Sequence, residues 1–146
     1  MSEVFFYHLE RSRPEEVLPS LLEKTLAKGW RAIVKLPTPE ALEAMDEALW
    51  TYRDDSFLPH GPGGEEQPVL LTLSDEAANG AQAAFLAPGA HMAPETMKSF
   101  ARTVLLFEPA GAPEARETWR RLKDEGMKLT YWQQALDGKW AMKASS

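Results

Sequence analysis

The chain contains no cysteine. That absence removes a disulfide framework, a thiolate nucleophile and a Cys-ligated zinc site together, and it fits a reducing compartment. No window approaches the ~18 consecutive apolar residues of a membrane-crossing helix. The opening Met1-Ser2-Glu3 is not a basic segment leading into an apolar one, so no targeting segment is expected and the mature chain should start near Met1. The expectation is a cytoplasmic protein without a membrane partner. Histidine is scarce: His8, His60 and His91 show no HxxxH or HExxH spacing, so no metal site is expected. His8, inside an apolar run, reads as a packed core residue. A Walker loop is missing too, because Gly61, Gly63 and Gly64 precede a strand and no Lys-Ser/Thr pair directly follows them. There is no GxSxG elbow, and no cofactor or catalytic residue is expected.

Positive charge is also in deficit. The net charge is −6, but residues 112–146 carry seven Lys/Arg against five Asp/Glu while residues 1–111 carry nine against seventeen. An acidic body is repelled by a phosphate backbone, so direct DNA binding is not expected. The basic C-terminal quarter suits an acidic partner.

What is present has the pattern of an α/β domain. Val4-Phe5-Phe6-Tyr7-His8-Leu9 is a β-rich run that predicts a central strand. Over residues 14–28, Val17, Leu18, Leu21, Leu22 and Leu26 recur at helical spacing, with Gly29 as the stop. Pro19 requires that the regular helix begin near it or that its first turns be kinked. Residues 30–36 predict a second strand, and a crossover of this length favours a parallel, right-handed unit. Thr38-Pro39-Glu40 marks the next helix start, with Leu42, Met45 and Leu49 buried and an end near residues 50–52. Residues 54–64, rich in Pro and Gly, predict a loop carrying large apolar side chains. Strands are predicted at residues 69–73, 83–87, 103–107 and 129–134, and a last helix at 112–125 that ends at Gly126. The expected architecture is a single layered domain over residues 1–136, a mostly parallel sheet flanked by helices, followed by a mobile C-terminal tail at 137–146.

Two constellations stand out. Trp50 ends one helix, and Phe57, Pro59 and His60 lie in the segment after it, a candidate contact patch because aromatic anchors dominate binding energy at interfaces. The alternative is that Trp50 and Phe57 fold back to close the core. On the last helix Arg116, Trp119, Arg120 and Lys123 fall at offsets 0, 3, 4 and 7, on one face, with Ala115, Thr118 and Leu122 as the neighbouring core stripe. A tryptophan among three cations suits a ligand that joins an apolar end to carboxylates. The alternative is a solvated helix face with Glu117 balancing the charge.

Met45-Asp46-Glu47-Ala48-Leu49-Trp50 followed by Ser56-Phe57-Leu58-Pro59-His60 resembles the helix-to-loop signature of the chi subunit of bacterial DNA polymerase III. Phe6-Tyr7-His8-Leu9, Lys28-Gly29-Trp30-Arg31, Val104-Leu105-Leu106-Phe107-Glu108-Pro109 and the Arg-rich last helix agree in order. Trp119 stands where a tyrosine is familiar in that family. The resemblance implies an accessory clamp-loader subunit of a DNA-directed DNA polymerase, with no catalysis of its own. It implies a contact with the psi subunit through Trp50, Phe57, Pro59 and His60. It also implies that Arg116, Trp119, Arg120 and Lys123 grip the acidic C-terminal tail of single-stranded DNA-binding protein, which ends in a phenylalanine. Two other classes fit the α/β order alone: a nucleotide- or cofactor-binding enzyme, which the missing Gly-rich fingerprint opposes, and a homodimeric module built on the Trp50/Phe57 patch.

Overall fold

In a computed structural model, the structure describes residues 2–10, 13–51, 60–62, 69–75, 80–134 and 140–145. The first strand, β1 (Glu3–His8), buries alternate residues Val4, Phe6 and His8 more deeply than Glu3, Phe5 and Tyr7. Helix α1 (Pro14–Ala27) starts at Pro14, well before Pro19, which lies buried inside it. The proline therefore sits within a continuous helix and leaves the Glu15 carbonyl without its usual i+4 donor. At the start of α1 the Glu16 carboxylate accepts the Arg13 backbone N–H at 2.9 Å. That bond, and a second from the Arg13 side chain, hold its pKa below the ordinary glutamate range.

Strand β2 (Ala32–Lys35) follows Gly29, which takes φ +83° while the Gly29 and Trp30 amides bond back to the Leu26 and Thr25 carbonyls. This closing geometry needs a left-handed residue, which glycine adopts without strain. Thr38 caps α2 (Pro39–Thr51), its Oγ1 accepting the Ala41 amide at 3.1 Å, as the Thr-Pro-Glu start predicts. The remaining elements are β3 (His60–Pro62), β4 (Val69–Thr72), β5 (Ala83–Leu86), α3 (Pro94–Met97), β6 (Arg102–Phe107), a 3₁₀ turn at Pro109–Gly111, α4 (Ala112–Asp124), β7 (Lys128–Gln134) and β8 (Trp140–Ser145).

These strands form one sheet in the order β3-β4-β2-β5-β6-β1-β7-β8, parallel at every pairing except β7 with β8. The α/β architecture is as expected, with β1 central between β6 and β7. Two expectations need correction. Within the segment read as a loop, His60–Pro62 instead pair parallel to Val69, Gly61 and Pro62 standing against Leu70 and Leu71; a Gly/Pro pair carries no strand propensity, but an edge position tolerates proline. The expected tail is, from Trp140 to Ser145, an antiparallel edge strand on β7. Its ordering comes from pairing with a distant partner, which local composition does not encode.

Helices cover both faces. Leu18, Leu22, Met45 and Leu49 of α1 and α2 pack with Val34, Leu71, Phe85, Val104 and Leu106 on one side. Met97 of α3 and Ala112, Ala115 and Leu122 of α4 pack with Val4, Phe6, Ile33, Leu86 and Leu129 on the other. The second layer carries the groove described next.

Candidate interaction groove

Helix α4 presents the face the sequence singles out. Ala115 and Leu122 are buried and Thr118 is half-buried, while Arg116, Arg120 and Lys123 are exposed. Trp119 lies between the two sets. Its ring meets Phe6 edge-on at 5.3 Å and Tyr131 at 6.0 Å between centroids, so the indole is braced from below by β1 and β7. Arg116, Trp119 and Arg120 join Tyr131 of β7 and Lys143 of β8 in lining a shallow, mostly apolar groove of about 310 Å³. Lys123 shares the helix face but does not line the groove. Seven residues along a helix is about 10 Å, which carries it past the rim.

Tyr131 and Lys143 escape a reading of the sequence for different reasons. Tyr131 falls in a predicted strand, where an aromatic reads as core. Lys143 falls in the segment read as tail. The structure brings both against α4 because β7 lies beside β1 and β8 folds back on β7.

The groove's floor continues into a packed aromatic row. The Tyr131 hydroxyl and His8 Nδ1 are 2.9 Å apart, and His8 stacks on Phe107 at 4.7 Å. His8 is buried, as expected of a core histidine, with Nε2 at 3.8 Å from a Glu10 carboxylate oxygen. Burial raises the Tyr131 pKa above the ordinary phenol value; the Arg116 charge opposes that rise and Glu10 adds to it. The phenol therefore stays neutral at physiological pH, and the positive charge around the groove belongs to the side chains of Arg116, Arg120 and Lys143. Among the described residues no ion pair engages Arg116, Arg120, Lys123 or Lys143. Glu117, the counter-charge of the alternative reading, forms none of the ion pairs among the described residues.

The constellation of Trp50, Phe57, Pro59 and His60 is placed only in part. Trp50 lies in the last turn of α2 and His60 opens β3, but their side chains, like all of Phe57 and Pro59, lie outside the described residues.

The crevice where an α/β enzyme holds its ligand has a different character here. Chain exits from the adjacent strands β2 and β5 lead toward opposite ends of the sheet, which makes their carboxyl ends the switch point of the fold. A groove of about 330 Å³ opens there, lined by Leu36, Pro37, Met45, Ala87 and Pro88 among others. Lys35, at the end of β2, is already spent on an ion pair with Asp75 and on the His91 carbonyl. Among the described residues no group of three or more His, Asp or Glu gathers as a metal site, and no helix is long and apolar enough to cross a membrane.

Comparison with known proteins gives two findings. A family model described as "DNA polymerase III chi subunit, HolC" matches residues 1–130. A curated protein of Pseudomonas aeruginosa named DNA polymerase III subunit chi is 28% identical over 136 residues, a span covering 88% of this chain and 94% of that protein.

Proposed function

The chain belongs to the chi subunit family of DNA polymerase III, and on that premise we propose that it is a non-catalytic adaptor that grips the acidic C-terminal tail of single-stranded DNA-binding protein in the α4 groove. The observation that carries this reading is a set of cations with no carboxylate partner among the described residues, around an apolar, aromatic-lined groove. Trp119 and Tyr131 offer an apolar wall to a terminal aromatic side chain, and Arg116 and Arg120 offer charge-assisted hydrogen bonds to carboxylates. A second contact, to the psi subunit through Trp50, Phe57, Pro59 and His60, rests on the resemblance of the Asp46–Trp50 and Ser56–His60 runs to the family. One tail in an open groove binds modestly. Several tails on one DNA-coated oligomer raise the local concentration of the polymerase assembly near its template.

Titration of the full chain with an acidic peptide ending in a phenylalanine with a free carboxylate tests the reading. Each exposed ion pair contributes up to about 1 kcal/mol, so Arg116→Glu with Arg120→Glu should lower affinity by up to about thirtyfold, and rising salt should weaken the native contact. Unchanged affinity in that double variant, still folded by circular dichroism, overturns the assignment.

A further inference from the structure

Tyr131 and the whole of β8 lie beyond the residues matched by the family model, yet they form one side of the groove. Their geometry is specific. Tyr131 pairs with Ala144 and Trp132 with Met142, so the register shifts between them and Lys143 is the additional residue of β8. At such a bulge two residues of one strand oppose one of its partner, the bulged strand bends, and a side chain is re-aimed. Here the bulge sits beside Tyr131, and Lys143 lines the groove together with the cations of α4. Lys143 is exposed and has no ion pair among the described residues.

We propose that β8 is the second wall of the groove and that Lys143, set at the bulge, is a specificity-determining cation that holds a carboxylate of the bound peptide from the strand side. This rests on the reading of the groove as a site for an acidic peptide. An extended chain points successive side chains to opposite sides, so two adjacent acidic residues send one carboxylate toward Arg116 and Arg120 and the other toward Lys143. Cations on both walls select a peptide with neighbouring acids over one with a single acid. A groove charged on the helix side alone has no such preference.

The test is calorimetric titration of the full chain with two synthetic peptides that end in phenylalanine with a free carboxylate, one with two adjacent aspartates and one with a single aspartate beside asparagine. The native chain should prefer the first. Lys143→Glu should weaken it about fivefold at low salt, as expected for one exposed pair, and the deficit should shrink as salt rises. Lys143→Gln, which leaves less room for misfolding, should show a smaller loss and the same collapse of preference between the peptides. Lys128→Glu, at the far end of β7, should bind like the native chain. Native affinity and preference in both Lys143 variants, with binding lost in the Arg116/Arg120 double variant, overturn this proposal and leave the groove assignment standing. Native affinity in all of them overturns both. Equal losses in Lys128→Glu and Lys143→Glu make the effect one of net charge and overturn the role of β8.

Discussion

Tyr131 belongs to two networks, with its ring against Trp119 at the groove and its hydroxyl on His8 beneath it. Burial raises its pKa, and burial also raises that of Tyr7, where the Arg102 charge opposes the rise. A raised folded pKa means that the unfolded chain releases the proton first. The stability tied to these phenols is therefore complete below the ordinary phenol range and is lost as pH rises through the folded values. Urea unfolding followed from about pH 8 to pH 11 should show stability falling on the alkaline side, and Tyr7→Phe with Tyr131→Phe should flatten that limb. An unchanged alkaline slope in the double variant would place the cause elsewhere. Legibility at this scale follows the period of the helix. Arg116, Trp119 and Arg120 share a face at offsets that sequence displays directly, whereas Tyr131 and Lys143 reach the groove only through strand pairing. The role of Lys143 depends on a bulge, which no residue pattern in Trp140-Ala141-Met142-Lys143 announces.

Helix α4 is the element on which the groove depends. Leu122 is fully buried against the layer that holds Phe6 and Leu129, and Gly126 at φ +78° closes the helix, with the Gly126 and Met127 amides bonded to the Lys123 and Leu122 carbonyls. Leu122→Ala removes apolar contact and leaves a cavity, so it should cost about 2–5 kcal/mol in chemical denaturation while the variant that still folds keeps peptide affinity near native, since Leu122 does not line the groove. A fall in stability below about 1 kcal/mol would mean that the layer repacks around the gap. Elements with strong periodicity or strong stops, namely α1, α2, α4, β1 and β6, are legible because local propensity and packing agree. His60–Pro62 and Trp140–Ser145 are not, since neither carries β-branched residues and each is ordered by the partner strand it borders. Helix α3 is a single turn, too short for any period to show.

At the scale of the whole molecule, acidic and basic regions are segregated: the groove lies in the basic C-terminal quarter of a chain with net charge −6. Long-range repulsion should dominate toward nucleic acid. Fluorescence anisotropy with a labelled single-stranded oligonucleotide should show no binding by the isolated chain at micromolar concentration and physiological salt. Saturable binding there would contradict the adaptor reading. Strand order is the part of the architecture that sequence leaves unspecified, because parallel pairing is decided by which crossovers pack and not by the strands themselves. That order also bears on synthesis. The first strand occupies an interior place whose two neighbours are β6 and β7, with Glu3 aligned to Arg102 on one side and to Lys128 on the other. A ribosome adding roughly 5–20 residues per second leaves β1 without either neighbour for about 5–20 seconds after it is made. During that interval Phe5, Phe6 and Tyr7 belong to an apolar segment whose pairing partners are not yet made, so β1 takes its place in the sheet only after β6 and β7 have emerged.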